Sequence, residues 1–561
     1  MNLIQLYLAY MKFLLKNMLA LILILCNTAA FCQVDSLPIS SISDTAIAKH
    51  IQFLGSDFLE GRATGSTGNK TAASYIKNEL SRMGLQPGAG ENRYYQSILM
   101  HGNTALPESQ LRIYSDDQLL FDLELGRDYL LFKSGAQTYV PQPVPVVFVG
   151  YGIIASEYDY NDYQSVDVEG KIVAYLSGEP PSDNPDYFMG ETSTIYSLPE
   201  SKQRLAISRG AVGSILIPDT PRRVIANWKK MTREYWFEDV TLAYAVTGHL
   251  SIMIHPGIAN ALFQNAEFSL QEILQRGMDD KITSFPLLVD ISFRGEFISR
   301  NFFSNNVISL LPGSDPERKN SYLIVSAHYD HLGIGTTVNG DSIYNGVFDN
   351  AAGVGAALEI ARTFSRLPTP PARSIMFLFL TGEEKGLLGS RYYLDQPVVP
   401  LHKTVANINI DGLAMFDTFN DVVGIGAELS DLSEYLSTSA SKMGISLSPF
   451  PAEFAKAESF ARSDQIAFAQ AGIPSILVMP GLDLRNTERQ AAIDRILNWN
   501  REIYHSPFDD LDQQMNLKAA EQHTQLLFAL CYEIANSNRA PEWHPDVKYN
   551  VPRLQSQAEK R

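Results

Sequence analysis

Cysteine is scarce in this sequence. Three cysteines occur among 561 residues, at Cys26, Cys32 and Cys531. The first two lie in an N-terminal segment that we expect to be removed, which leaves one thiol. A single thiol provides neither an intrachain disulfide framework nor a thiolate zinc site. Any bound metal ion would therefore be held by His, Asp and Glu side chains.

Positive charge is also in short supply. The chain has 45 Lys and Arg residues against 62 Asp and Glu, which gives a formal net charge of −17. Proteins that bind nucleic acid need an excess of basic residues to meet the phosphates, so we expect no nucleic-acid partner. The content of 45% apolar and 19% charged residues is typical of a globular protein with a large core. The length predicts two or three structural units.

The N-terminal segment lacks a hydrophobic run of about 20 residues, the length that a membrane-spanning helix needs. Residues 11–33, MKFLLKNMLALILILCNTAAFCQ, have a basic start, a short apolar stretch and then small residues. This order is typical of a signal peptide. We predict that residues 1–32 are a signal peptide cleaved between Cys32 and Gln33, that the protein is exported to the periplasm or out of the cell, and that it has no stable membrane span. The alternatives are a membrane anchor, a lipidated cysteine and a true start at Met11.

The sequence pattern divides the chain into several segments. Residues 41–84 predict two helices around a Gly/Ser-rich loop. From about residue 140, short β-rich runs are separated by Gly, Pro and Asp, which is typical of a small β-rich unit. The predicted divisions are the signal peptide (1–32), the N-terminal part of a catalytic domain (33–135), an inserted β-rich domain (136–295) and the main part of the catalytic domain (296–561).

From about residue 305, apolar strands alternate with helical patterns. Strands are predicted at 322–330, 374–380, 405–411 and 474–481, and a helix at 353–367. Near-continuous apolar strands between helices indicate a sheet that is buried on both faces. The predicted fold class is therefore α/β, with a mixed, largely parallel sheet covered by helices on both faces and an inserted small β-rich domain. Ligands of such sheets bind beyond the carboxyl ends of the strands.

Acidic and histidine side chains follow several of these predicted strands. They are His328 and Asp330 after the first strand, Glu383 and Glu384 after the second, Asp411 after the third, and Asp349 just before the helix. Carboxylates gathered at one edge would repel each other unless a cation lay among them. Imidazole and carboxylate ligands without sulfur suit zinc, with manganese or cobalt as substitutes. A carboxylate could bridge two such ions at a separation of about 3.5–4 Å.

Each of these residues also has a simpler structural interpretation. Asp349 alone would serve as a helix N-cap, and the Asp411-Gly412 pair alone would form an ordinary turn. Glu383 and Glu384 would be a solvated pair at a helix start, where the helix dipole favours acids. Asp330 would be a loop carboxylate. Their convergence on one sheet edge favours the metal site.

A pair of metal ions would need a second histidine. His505, in the polar loop NREIYHSPFDDLDQ, is one candidate, and His331, in HYDHLG, is its rival. His402 and His523 look like surface positions. Spacing alone does not decide between His505 and His331.

Five motifs occur in a recognisable order: AHYDHLG, FDNAAGV, LTGEEKGLLGS, NIDG and YHSPFDD. In this order they resemble the dizinc exopeptidases of the aminopeptidase Y and bacterial leucyl aminopeptidase type, a superfamily that includes glutamate carboxypeptidase and the transferrin receptor. The resemblance covers residues 305–535 strongly and residues 41–135 weakly. The middle section, with VFVGYGI and YDYNDYQSVDVEGKIVAYLSGEPP, resembles the protease-associated domain inserted into many of these enzymes.

The resemblance implies two zinc ions per chain and a role for each residue at the sheet edge. The implied roles are His328 and Asp411 for one zinc, Glu384 and His505 for the other, Asp349 as the bridge, Asp330 as the acceptor of the second ring N–H of His328, and Glu383 as the general base. The two adjacent glutamates would thus do different work, because only one of them binds metal.

The implied function is that of an exported zinc aminopeptidase acting on peptide substrates. A carboxypeptidase or dipeptidase of the same mechanism is the alternative, with Lys456 and Arg462 as a clamp for a terminal carboxylate. Asp464 would instead face a substrate amine. A one-zinc glutaminyl cyclase and a non-catalytic binding ectodomain are further alternatives, and the full ligand set argues against both.

Overall fold

The fold is described from a computed structural model that covers residues 38–132, 139–184, 186–190, 194–246, 248–278, 282–454 and 460–558. The predicted signal peptide and Lys456 lie outside these residues. No helix within them is long and apolar enough to cross a membrane.

Strands and α-helices alternate mainly between residues 352 and 480, and runs of consecutive strands precede this region. The strands are β1 (Gln86–Pro87), β2 (Tyr95–Ala105), β3 (Gln110–Ser115), β4 (Gln118–Glu124), β5 (Tyr129–Leu131), β6 (Tyr139–Phe148), β7 (Ile154–Ala155), β8 (Tyr160–Asn161), β9 (Ile172–Leu176), β10 (Gly213–Ile217), β11 (Asp239–Leu242), β12 (Leu250–Ile254), β13 (Phe285–Arg294), β14 (Phe297–Leu311), β15 (Tyr322–His328), β16 (Gly333–Val338), β17 (Asp341–Tyr344), β18 (Ser374–Leu380), β19 (Thr404–Asn409), β20 (Asp421–Ile425), β21 (Ser446–Leu447) and β22 (Ser475–Pro480). The α-helices are α1 (Asp44–Leu54), α2 (Thr67–Arg82), α3 (Pro199–Ser208), α4 (Pro221–Tyr235), α5 (Leu270–Met278), α6 (Ala352–Ser365), α7 (Leu388–Asp395), α8 (Leu432–Lys442), α9 (Gln465–Gln470), α10 (Arg489–Asn498), α11 (Leu517–Asn536) and α12 (Asn550–Ala558).

The larger sheet is mixed, and its centre is parallel. Its order is β11-β2-β14-β18-β15-β19-β22-β20-β21, with β1 paired to β14. Strands β18, β15, β19 and β22 run parallel, whereas β2 and β14 pair antiparallel with their neighbours. Strand β20 pairs antiparallel with β22 and parallel with β21. The predicted α/β class with a mixed sheet is confirmed.

Alternate residues of the central strands point to opposite faces of this sheet. Val325 and Phe377 join a core with helices α1, α2, α6, α8 and α11, whereas Ile324 and Met376 join a smaller core with Tyr393 of α7 and Phe468 of α9. Both faces of the sheet are therefore buried, which explains why the strand sequences are almost continuously apolar.

The second sheet has the order β4-β3-β13-β6-β9-β10-β12-β5. Its first strand in the chain begins at Gln110, upstream of the predicted boundary at residue 136, because β3 and β4 pair with each other and β3 pairs with β13. One segment from within this region returns to the larger sheet, where β11 pairs with β2. The division into domains stays a prediction.

The prediction that His523 lies on the surface is wrong. His523 is fully buried in α11, and its Nδ1 accepts the backbone N–H of Ala414 at 3.0 Å. Burial lowers the pKa of His523 to about 4, so this histidine is a neutral part of the core.

Candidate metal centre

The strand register brings two of the predicted ligands together. Ser326 of β15 lies opposite Asn409 of β19, so His328 and Asp411, each two residues further on, emerge side by side. On the other flank of β15, His328 pairs with Leu380, the last residue of β18. The chain then turns through Thr381 and Gly382 to reach the two glutamates.

The first group of donors surrounds the Nε2 atom of His328. This atom lies 3.1 Å from Asp411 Oδ1 and 3.2 Å from Asp349 Oδ1. The other ring nitrogen, Nδ1, lies 3.2 Å from the backbone carbonyl oxygen of Asp330. A proton on Nδ1 would be donated to this carbonyl, which leaves the Nε2 lone pair facing the two carboxylates.

The second group shares Asp349 with the first. The Nε2 atom of His505 lies 3.5 Å from Asp349 Oδ2 and 3.2 Å from Glu384 Oε2. The rival His331 places its Nδ1 2.6 Å from Glu384 Oε1. Glu384 therefore meets one histidine with each of its two oxygens, and Asp349 presents one oxygen to each group.

Donor spacing separates the roles that the two histidines could play. Ligand atoms bound tetrahedrally to zinc at about 2.0–2.1 Å lie about 3.3 Å apart. The contacts of His328 and His505 cluster at that separation, and the 2.6 Å contact of His331 is instead that of a direct charge-assisted hydrogen bond. His331, Asp349 and Glu384 do lie close enough to form a three-residue donor group. The spacing nevertheless favours His505 as the ligand and His331 as the donor that orients Glu384. The residues present fit zinc.

Asp349 does not serve as the N-cap of helix α6. Asp349 has non-helical backbone angles, and it is Asn350 that accepts the N–H of Gly353 at the start of α6. The Asn350 side chain also accepts the N–H of Gly412 and donates to the carbonyl oxygen of Ile410. Asn350 thereby ties the Asp349 loop to the Asp411 loop.

Asp509 also stabilises the loop that carries Asp349. Its buried carboxylate accepts the backbone N–H groups of Phe348 and Asp349 at 2.9 and 3.1 Å. This residue belongs to the YHSPFDD motif, four positions after His505. Sequence reasoning missed the role of Asp509, because its partners lie about 160 residues away in the chain.

Glu383 and Glu384 have opposite environments. Burial and the negative charges of Asp411 and Glu384 raise the pKa of Glu383 well above its ordinary value, although His328 opposes the shift. Burial also acts to raise the pKa of Glu384, but His505 and His331 outweigh it and hold this pKa well below the ordinary value. The Glu384 side chain is 4% exposed, so Glu384 is not the solvated acid of the simpler interpretation.

The carboxylate of Asp330 accepts a hydrogen bond from the backbone of Glu383 but lies beyond hydrogen-bond distance of the His328 ring. Its Oδ1 accepts the backbone N–H of Glu383 at 3.2 Å, and its Oδ2 accepts the hydroxyl of Thr64 at 2.9 Å. The distance from Asp330 Oδ1 to His328 Nδ1 is 3.9 Å. The nearest acceptor for that ring nitrogen is the backbone carbonyl of Asp330, so the implied contact is made by its backbone.

Arg62 lies beneath the cluster and was not singled out in the sequence. Its buried guanidinium donates to four backbone carbonyls, those of Tyr329, Asn345, Gly346 and Leu54. Glu60, Gly61 and Arg62 all have positive φ angles. A Cβ at Gly61 would lie 2.2 Å from the carbonyl oxygen of Tyr344, so only glycine fits there.

Asp464 and Arg462, the two substrate-binding candidates from the sequence that the structure describes, have different environments near the metal centre. Asp464 is fully buried, accepts the hydroxyl of Ser390 at 2.6 Å through Oδ1, and has no hydrogen-bond partner for Oδ2 among the described residues. Burial raises the pKa of Asp464 to about 7. The guanidinium of Arg462 lies 5.9 Å from the ring centroid of Tyr504, and that ring stacks on His505 at 3.8 Å.

A parallel-centred α/β sheet that gathers histidines and carboxylates at the carboxyl ends of its strands is suited to hold metal ions for hydrolytic chemistry. Residues 306–531 match the model of Peptidase family M28.

Individual proteins show the same relationship. Leupeptin-inactivating enzyme 1 of Streptomyces exfoliatus is 29% identical over 225 residues, which is 38% of this chain and 45% of that protein. Aminopeptidase YwaD of Bacillus subtilis strain 168 is 25% identical over 222 residues, or 39% and 42% of the two chains. The matched region thus spans less than half the length of these curated relatives. The solved structure of an aminopeptidase from Aneurinibacillus sp. strain AM-1 has the same fold, with a TM-score of 0.54, 18% identity and coverage of 91% of this chain and 96% of that one.

Proposed function

We propose that this protein is an exported zinc-dependent aminopeptidase that removes N-terminal residues from peptides. The observation that carries the proposal is the pair of donor groups that share Asp349 and lie beside Glu383. The family match and the relatives named as aminopeptidases support the same activity. The signal-peptide pattern of residues 11–33 supports export.

Two zinc ions would be held by the residues of the two groups. His328 and Asp411 would hold one ion, Glu384 and His505 the other, and Asp349 would bridge them. When bound, zinc supplies Lewis acidity towards the scissile carbonyl and the attacking water. The chain itself supplies His331 and the Asp330 backbone carbonyl to fix the orientation of Glu384 and His328.

Glu383 would move the protons of the reaction. Its raised pKa brings the carboxylate closer to the range where a group can both accept and return a proton near neutral pH. It would take a proton from the attacking water and pass it to the leaving amine. Asp330 holds the backbone of Glu383 in place for this transfer.

Asp464 supports the choice of an amino-terminal substrate. A buried carboxylate oxygen without a partner is costly, and a protonated α-amine would meet both its charge and its hydrogen-bonding capacity. Asp464 interacts electrostatically with His328 and Asp411, which locates it at the cluster. Cleavage of the first peptide bond would follow from an amine held there.

Arg462 and Lys230 favour the second candidate, a carboxypeptidase or dipeptidase. Their cationic groups lie 5.9 and 5.2 Å from the Tyr504 ring, beside His505. Two cations at the site would suit a terminal carboxylate. This arrangement favours cleavage at the C-terminus of a peptide over cleavage at its N-terminus.

A substrate panel distinguishes the two. We expect the purified full-length protein to hydrolyse leucyl-, alanyl-, lysyl- or glutamyl-anilides and to leave N-acetylated peptides with free C-termini intact. Chelator should abolish the activity, and zinc should restore it. Cleavage of the blocked peptides alone would contradict the aminopeptidase and favour the carboxypeptidase, and no cleavage of either set by the zinc-loaded protein would contradict both.

The two rival histidines can be separated by metal content. Replacement of His505 by Gln is expected to release one of the two zinc ions, because a ligand is lost. The His331→Gln variant should keep both ions and bind them about 10–100-fold more weakly, the usual cost of losing a group that orients a ligand. Zinc per chain, measured by atomic emission after dialysis, checks this. Loss of an ion from the His331 variant alone would reverse the assignment.

A further inference from the structure

Helix α4 belongs to the region of the second sheet, yet it reaches the proposed metal centre. The Oε1 atom of Glu234, in its last turn, lies 3.5 Å from Nδ1 of His505. Neither Glu234 nor its helix carries any of the five motifs that mark the site in the sequence. We propose that Glu234 is a positioning residue that orients His505 and so makes this helix part of the metal centre.

The chemistry of a ligating histidine calls for such a partner. The Nε2 atom of His505 faces Asp349 and Glu384, so the proton of a neutral ring lies on Nδ1. A histidine that binds metal almost always donates this second N–H to a carboxylate, carbonyl or water, which fixes both the tautomer and the ring orientation. Glu234 is the carboxylate that faces Nδ1. It would do for His505 what the Asp330 carbonyl does for His328.

The rest of α4 holds Glu234 in that place. Arg233 donates to the carbonyl oxygen of His505 at 3.2 Å, and Lys230 donates to that of Asn500 at 3.2 Å. Three side chains of helix α4, those of Lys230, Arg233 and Glu234, therefore contact the segment that carries His505. The opposite side of the helix is bound to the second sheet, where Trp228 and Thr232 both donate to the carbonyl oxygen of Gly126.

The chain that follows α4 fixes its end against the larger sheet. Phe237 packs edge-on against Tyr344 with ring centroids 4.8 Å apart, and β11 then pairs with β2. Tyr344 lies just ahead of the loop that carries Asp349. Glu234 is thus held between contacts to the two loops that supply His505 and Asp349, and the second-sheet region completes the site as well as flanking it.

The role of Glu234 rests on the proposed zinc centre, so its test reads metal binding as well as hydrolysis. Full-length protein is stripped with chelator and titrated with zinc by calorimetry and with cobalt(II) by visible absorption. In Glu234→Leu, which has no acceptor, we expect one of the two binding constants to fall by about 10–100-fold, with an altered cobalt spectrum. Glu234→Gln keeps an acceptor oxygen and should recover most of the affinity. Glu200→Leu, at an exposed acid on α3, should match the wild type.

The outcomes separate this role from the proposed function. Wild-type protein that binds no zinc would overturn the proposed function, and the role of Glu234 with it. Wild type that binds two ions, with a Leu variant that binds both as tightly and gives the same cobalt spectrum, would overturn the role of Glu234 alone. Equal losses in the Leu and Gln variants would also contradict it, since a positioning hydrogen bond should be partly rescued by glutamine. Thermal unfolding of the metal-free variants checks that each one folds.

Discussion

Replacement of Glu383 by glutamine is expected to lower kcat by about 10²–10⁴-fold, the usual contribution of general acid–base catalysis. The amide has nearly the shape of the carboxylate, but it cannot accept and return a proton. Glu383 is outside both donor groups, so zinc binding should be unchanged. Turnover of a leucyl-anilide and zinc content, measured on the same preparation, check the two halves of this expectation.

The neighbouring residue provides the matched control. Glu384→Gln removes a proposed ligand and should release zinc, and added zinc should restore activity in part. Added zinc should not restore activity to the Glu383→Gln variant. If the Glu383 variant kept more than a tenth of the wild-type kcat, the general base would have to be another group, and Asp464 would be the next candidate.

The adjacent carboxylates can differ because of what surrounds each one. Two histidines face Glu384, and they stabilise its charged form. Glu383 is partly buried and has Asp411 and Glu384 as negative neighbours, and both features disfavour its charged form. Environments that push the pKa values of two nearby acids apart are what assign one acid to proton transfer. The sequence shows the pair, but only the fold shows which neighbours each member has.

The parallel centre of the larger sheet could be predicted because its strands are buried on both faces. Residues 374–380 were predicted as a strand, and β18 has those same bounds. Strand ends then give the site, since parallel strands bring His328, Glu384 and Asp411 to one edge whatever the details of the helices. The antiparallel flank formed by β2 and β14 was harder, because β2 alternates buried and exposed residues and lies more than 190 residues from its partner.

The missed residues are those whose function depends on long-range contacts. Asp509 acts through the backbone of residues 348–349, and Glu234 reaches His505 across some 270 residues of chain. No local pattern distinguishes either of them from a surface acid. His523 was misjudged for the same reason, since one histidine in a helix gives no sign of the loop that packs over it. Motifs predicted the groups that would touch metal and missed the groups that hold them in place.

Arg62 is the missed residue with the largest expected effect on stability. Its guanidinium connects the carbonyls of Tyr329 and Asn345, on either side of the strand hairpin formed by β16 and β17, to that of Leu54 at the end of α1. Burial lowers the pKa of Arg62 to about 10, against the opposing pull of Asp509, Asp330 and other carboxylates. The side chain thus stays charged at neutral pH and offsets some of their repulsion.

Replacement of Arg62 by Met is expected to reduce the free energy of unfolding of the metal-free protein by about 3–5 kcal/mol, a loss at the upper end for single substitutions that breaking a buried hydrogen-bond network can reach. Four buried carbonyls lose their donor, and each loss is unfavourable. Arg62→Lys keeps the charge but not the planar fork of donors, so its loss should be intermediate. Urea unfolding followed by tryptophan fluorescence measures the three midpoints.

The control for this change is Arg82→Met. Arg82 is 74% exposed and pairs with Glu79 on the surface of α2, so its loss should alter stability by no more than about 0.5 kcal/mol. If Arg62→Met unfolded at the same urea concentration as Arg82→Met, the four carbonyl contacts would contribute nothing net. The carboxylates of the metal centre would then tolerate one another without a buried cation beneath them. A large loss in the metal-free protein that zinc largely reverses would show instead that Arg62 and the metal ions stabilise the same carboxylates, so that the guanidinium holds the site together before any ion arrives.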